Sequence, residues 1–205
     1  MSLVLYYAPW SSATTSLWAV EELGIPCERV KLDLSKKETH TPEFLALNPN
    51  GKVPVLVQDG VPIFESAAIL AYLGETFGAE KQLFPAPGIQ RGQALQWLVW
   101  ANATLGATVN RFLANSCDDV PADRRNAQAA DLARAATQKL LEQLDAHLEG
   151  KIWMVGDFFT LVDLQLAGAL AWIGRLGFDL SKLANVAPWH ARCADRPAFE
   201  KVMAG

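Results

Sequence analysis

Two hydrophobic periodicities divide the chain. In the first, short apolar runs alternate with helical patterns. Residues 3–7 (LVLYY) read as a buried strand, and residues 16–23 as a helix that Gly24 is placed to close. Alternation of polar and apolar positions over residues 27–34 (CERVKLDL) predicts a second strand. A β-α-β unit of this kind implies parallel strands joined by a right-handed crossover. Residues 53–57 and 61–64 are two further strand runs separated by Asp59-Gly60, a hairpin signal. Residues 66–77 then predict a helix. The order β-α-β, β-β-α describes a small mixed four-stranded sheet with helices on its faces, an α/β unit.

In the second, strand signals vanish. Residues 90–114, 124–148, 161–173 and 186–203 carry apolar positions at i, i+3 and i+4, with frequent alanine. This half is all-α. Between the two, Phe84-Pro85-Ala86-Pro87-Gly88 breaks every pattern and marks a linker. The expected division is 1–78, a linker at 79–88, and 89–205.

Composition narrows the function without naming it. The 205 residues, 51% hydrophobic and 20% charged, suit a well-buried fold. A net charge of −4 and dispersed basic residues argue against a nucleic-acid partner. No apolar run approaches the roughly 18 residues that span a bilayer, and the start lacks the basic n-region of a signal peptide. Cys27, Cys117 and Cys193 are odd in number and widely spaced, so reduced thiols in a cytoplasmic protein, with no disulfide framework and no metal, are expected.

Three motifs carry chemistry. In NPNGKVPVL (residues 48–56), a proline at the head of a strand cannot donate to the ladder. A cis Val53–Pro54 bond would tolerate it and leave the Val53 N–H and C=O facing outward, where an extended peptide could pair with them. A plain edge strand opening on proline is the other reading. In FESAAI (residues 64–69), a strand ends and a helix begins near Ser66. The free N–H groups of that helix, with the Ser66 hydroxyl, suit a carboxylate, and Glu65 suits an ammonium group. Ser66 could equally only cap its own helix. In FFTLVDL (residues 158–164), Thr160 and Asp163 form a capping box, and Phe159 with Leu164 has hydrophobic-staple spacing. That motif speaks to folding.

These pieces, in this order along nearly the whole chain, resemble the cytosolic glutathione S-transferases, bacterial type. The resemblance rests on the strand-turn-helix of residues 3–24, NPNGKVPVL, FESAAILAYL, the linker, GDFFTLVDL (residues 156–164) and PWHARCADRPAF (residues 188–199). It implies a thioredoxin-like N-terminal domain, an α-helical C-terminal domain, a homodimer, and a cytoplasmic, detoxifying role. It further implies glutathione as co-substrate and a small hydrophobic electrophile as second substrate. By motif, the Val53 backbone, with Pro54 cis, would hold the glutathione cysteine; Glu65 and Ser66 would hold the γ-glutamyl amine and carboxylate. Lys52, or less directly His40, would reach the glycyl carboxylate.

Such an enzyme must raise the thiolate fraction of a thiol whose pKa is about 8.5. A donor at the first strand-to-helix turn does this, and PWSSATTS (residues 9–16) is that turn. Members of the family with a cysteine in this turn align it with Ser12, and members with a serine align it with Ser11. Trp10 stands where a glycine is expected. Tyr6 and Tyr7, at the end of the first strand, are the remaining hydroxyls. A serine cannot form the mixed disulfide that a cysteine here would form. A glutathione-dependent isomerase or peroxidase, or a non-catalytic binding protein on the same fold, stands as the alternative. Trp10, Trp97 and Trp100 are candidate walls of an electrophile pocket.

Overall fold

The sheet is mixed and has the order β2-β1-β3-β4 in the computed structural model, which describes residues 1–204. Strand β1 (Leu3–Tyr7) runs into helix α1 (Ala13–Leu23) and returns as β2 (Glu28–Lys31), parallel to β1. Helix α2 (Pro42–Leu47) follows, then the hairpin of β3 (Val55–Gln58) and β4 (Val61–Phe64). Strand β3 lies antiparallel to β1, with Leu5 opposite Leu56. The hairpin turn has positive φ at both Asp59 and Gly60, as a tight two-residue connection needs.

Helix α3 (Ser66–Leu73) continues into a π-helical turn, Gly74–Gly78. Six α-helices follow among the described residues: α4 (Ile89–Val99), α5 (Ala107–Ser116), α6 (Ala127–His147), α7 (Leu161–Arg175), α8 (Val186–Ala194) and α9 (Pro197–Ala204). A second π-helical turn, Trp100–Gly106, joins α4 to α5.

Several boundaries differ from expectation for local reasons. Helix α1 begins at Ala13 rather than residue 16, because the Ser11 hydroxyl accepts the Ala13 N–H. Gly24 closes it at φ +56. Strand β3 starts after Pro54, not before it, and β2 is shorter than its alternating pattern. Helix α2 was not anticipated: six residues are too few for a periodicity, although Thr41 at its N-cap and Pro42 at its first position are start signals. The last predicted helix divides at Pro197, as proline requires.

One face of the sheet, bearing Leu3, Leu5 and Leu56, shares a continuous core with α1, α3 and the helical half. Trp18 of α1 is fully buried there, packed on Phe159 and Phe199. The other face packs Tyr6, Val55 and Val57 with Phe44 of α2. The connection is also fixed: Leu83 and Phe84 are buried, and the Leu161 N–H donates to the Leu83 carbonyl at 2.9 Å. At the head of α7, the Asp163 carboxylate accepts from the Thr160 N–H while the Thr160 hydroxyl accepts from the Val162 N–H. Asp163 also accepts from the Met154 N–H and the Trp189 indole. Among the described residues no helix is long and apolar enough to cross a membrane.

Candidate active site

The loop after β1 is shaped by its own side chains. The Ser11 hydroxyl donates to the Ala8 carbonyl at 2.7 Å while accepting the Ala13 N–H at 3.1 Å, a hydroxyl-closed turn. Trp10 inside that turn has φ +55, the left-handed region that glycine enters freely. This accounts for the glycine expected there. Next to it the Ser12 hydroxyl, on an exposed residue, donates to the Val53 carbonyl at 3.2 Å.

The loop carrying Val53 is held by Asn48. Its buried side chain donates to the Lys52 carbonyl at 2.7 Å and accepts the Asn50 N–H at 3.0 Å. Gly51, at φ +61, turns the chain between them. The Val53–Pro54 bond is cis. Glu65, preceding α3, has φ +71, and Ser66 begins the helix, nearly buried. The Ser66 hydroxyl accepts from the Asn102 amide at 2.8 Å, and the Gln165 amide donates to the Asn102 carbonyl oxygen at 2.7 Å. The Gln165 Oε1 is buried without a partner.

These segments meet around one cleft of about 460 Å³ between the sheet half and the helical half. Ser11, Ser12, Lys52, Val53, Pro54, Glu65 and Ser66 all line it, so these seven residues from three separate stretches are brought together. Asn48, Trp10, Thr14 and Thr15 line it too. The helical half contributes Leu105, Val109, Asn110 and Leu113, with Ala169, Trp172, Ile173 and Arg175 of α7, and Met203 of α9. Tyr6 and Tyr7 are not in the lining; Tyr6 packs edge-on against Phe44 instead. His40 is exposed beside Gly51 and also outside it. Trp97 and Trp100, candidate walls, are outside the lining; they meet edge-to-face, with Trp97 against His147.

The sequence reading missed Asn48, Asn102, Gln165, Arg175 and Met203. Asn48 had a signal, the NPNG turn. The other four reach the cleft only through the packing of α7, α9 and the second π-helical turn. The cysteines stand apart: none lines the cleft, and burial pushes the thiols of Cys27 and Cys193 up. Among the described residues no group of three or more His, Cys, Asp or Glu side chains is placed to hold a metal ion.

Comparison with known proteins agrees with this architecture. Residues 1–75 match the family model for the glutathione S-transferase N-terminal domain, and residues 103–197 that for the C-terminal domain. The chain is 31% identical to glutathione S-transferase GstB of Escherichia coli K12 over 91% of this chain and 90% of that one. It is 32% identical to the disulfide-bond oxidoreductase YfcG of the same organism, over 95% and 91%. A glutathione transferase homologue from Lodderomyces elongisporus, crystallised with two glutathione molecules per subunit, superposes with a TM-score of 0.89 at 25% identity, covering 100% of this chain and 98% of that one. A mixed sheet before a helical half, a cleft at their seam, and these likenesses along nearly the full length lead to one conclusion: the chain belongs to the glutathione S-transferase family.

Proposed function

We propose that the cleft binds glutathione and that the Ser12 hydroxyl donates to its sulfur, raising the thiolate fraction for attack on a small hydrophobic electrophile. The observation that carries this reading is the convergence of Ser12, Val53, Glu65 and Ser66 on one cleft from three separate stretches of sequence. Glu65 pairs with the γ-glutamyl ammonium; Ser66 and the first N–H groups of α3 hold its carboxylate. The Val53 backbone pairs with the cysteinyl residue, and Lys52 takes the glycyl carboxylate.

Ser12 is preferred to Ser11 because the single Ser11 proton is committed to Ala8, whereas Ser12 donates over a longer distance to Val53. When the cysteinyl N–H claims the Val53 carbonyl, the Ser12 proton turns to the sulfur. Ser11 remains the turn-closing partner that keeps Ser12 in place. The glutathione structure of the Lodderomyces protein and the transferase GstB support the ligand and the reaction class. Exchange through a mixed disulfide with this chain's own cysteine finds no support, because no cysteine lines the cleft.

The division 1–78, 79–88 and 89–205 goes with this reading, as do a homodimer and a cytoplasmic, detoxifying role. Sedimentation at micromolar concentration checks the dimer. Titration calorimetry with glutathione tests the binding: saturation below millimolar ligand is expected, and no heat at several millimolar would overturn it. In the same assay series Ser12→Ala should bind glutathione yet lose turnover with 1-chloro-2,4-dinitrobenzene; unchanged turnover would remove Ser12 from its role.

A further inference from the structure

The Arg175 guanidinium lies 3.7 Å from the centroid of the Trp10 ring, at the end of α7 and within the cleft lining. Its isolation is unusual in this chain. Arg29, Arg91, Arg125 and Arg196 pair with carboxylates. Arg111, Arg134 and Arg192 donate to a hydroxyl or to carbonyls. Arg175 has the Trp10 ring and no oxygen partner among the described residues; the other unpaired guanidinium, Arg124, sits on an exposed turn far from any lining. The indole that supports Arg175 is itself held at positive φ, a conformation disfavoured for a residue with a Cβ. A flat cation on an aromatic platform presents its N–H fork edgewise and pairs well with a carboxylate.

Charge matching shows what that fork is for. Activated glutathione brings one ammonium, two carboxylates and a thiolate, and in the proposed binding these meet Glu65, Ser66 with α3, Lys52 and the Ser12 hydroxyl. The lining holds two cations, Lys52 and Arg175, and one anion, Glu65. Arg175 is therefore the cation left over, in a cleft whose lining also holds Leu105, Val109, Leu113 and Trp172.

We propose that Arg175, positioned by Trp10, is a specificity determinant for the second substrate, selecting electrophiles with a flat apolar body and a carboxylate. This rests on glutathione binding as proposed. With 4-chloro-3-nitrobenzoate as probe, the thiolate sulfur bonds to the ring carbon bearing chlorine, the C–Cl bond breaks, and chloride leaves with the electron pair. The thiol proton goes to solvent. The carboxylate takes no part in bonding change; Arg175 only holds it.

The test compares two synthetic conjugates, S-(4-carboxy-2-nitrophenyl)glutathione and its uncharged 4-carboxamide, by calorimetry. Wild type should bind the carboxylate about three- to fivefold more tightly, as one charge-assisted pair at an exposed site provides. Arg175→Gln should bring the ratio near one, and Arg175→Lys should keep part of it. The kcat/KM ratio for 4-chloro-3-nitrobenzoate against 4-chloro-3-nitrobenzamide should fall by the same factor in Arg175→Gln. Equal binding of both conjugates by wild type, while glutathione itself binds, overturns the Arg175 proposal and leaves the proposed function standing. Failure of glutathione to bind overturns both. Two glutathione molecules per chain, one lost in Arg175→Gln, would give Arg175 to a glutathione carboxylate instead and also overturn it.

Discussion

The Ser12 hydroxyl donates to the Val53 carbonyl, so two residues far apart in sequence share one proton in the lining of the cleft. The same carbonyl is the one an incoming peptide N–H would claim. Under the proposed function, binding and activation would be linked: pairing at Val53 would release the donor that the sulfur needs. The neighbouring Ser11 has no such freedom, its hydroxyl being used in both directions.

The two serines should consequently fail in different ways. Ser12→Ala is expected to lower kcat/KM about ten- to hundredfold, the worth of one hydrogen bond to a charged group. It should also move the apparent pKa of bound glutathione back toward 8.5, read from the pH–rate profile. Ser11→Ala should cost about 1 kcal/mol of stability in urea denaturation, as loss of a cap does, with a smaller change in that pKa.

Helix α7 crosses α1 where Gly168 meets Thr15. A Cβ at Gly168 would come within 2.6 Å of the Thr15 Cγ2, a branched and buried atom with little room to yield. Gly168→Ala should therefore destabilise by about 1–3 kcal/mol through overpacking. Adding Thr15→Ser removes that methyl and keeps the hydroxyl that donates to the Ser12 carbonyl. The double variant should recover most of the loss in a double-mutant cycle.

Asp163 gathers four donors in a fully buried position: the Met154 and Thr160 N–H groups, the Thr160 hydroxyl and the Trp189 indole. Asp163→Ala leaves buried donors unpaired and should cost about 3–5 kcal/mol. Asp163→Asn keeps the shape but turns an NH₂ toward other donors, so it should also cost about 1–3 kcal/mol. Chemical denaturation of both variants checks the order Ala worse than Asn worse than wild type.

His190 and His147 are partly buried and donate their Nε2–H groups to the Ala167 and Met154 carbonyls. Burial holds both imidazoles below the ordinary histidine value. The unfolded chain then takes up these protons first. Their contribution to stability is complete above about pH 6.5, the unfolded value, and is lost as pH falls from there toward the lower folded values. His190→Gln should flatten the decline between pH 7 and 5 in melting experiments; an unchanged slope would acquit His190.

Local chemistry determined what could be read in advance. Strands β1 and β4, the closing Gly24 and the Thr160–Asp163 capping box each depend on neighbours in sequence and were legible. The turn at residues 48–54 was legible because proline and glycine restrict the backbone wherever they occur. The π-helical turn at Trp100–Gly106 was not, since nothing within those residues forces an extra residue into a turn. Asn102, Gln165 and Arg175 enter the cleft from helices whose apolar periodicity says only that one face is buried. Which polar residue faces the seam depends on the partner helix. The Trp10 anomaly was visible as a missing glycine, and its meaning came only with the φ of +55 and the guanidinium above the ring.

The chain of amides from Gln165 through Asn102 to Ser66 crosses the seam between the halves. A ligand that grips Ser66 is thus attached to both sides at once, and its binding free energy counts toward keeping them together. Melting should be a single event for sheet and helices alike. Saturating glutathione at a hundred times its dissociation constant should raise the whole transition by about 2.7 kcal/mol, rather than stiffening one half and leaving the other to unfold alone.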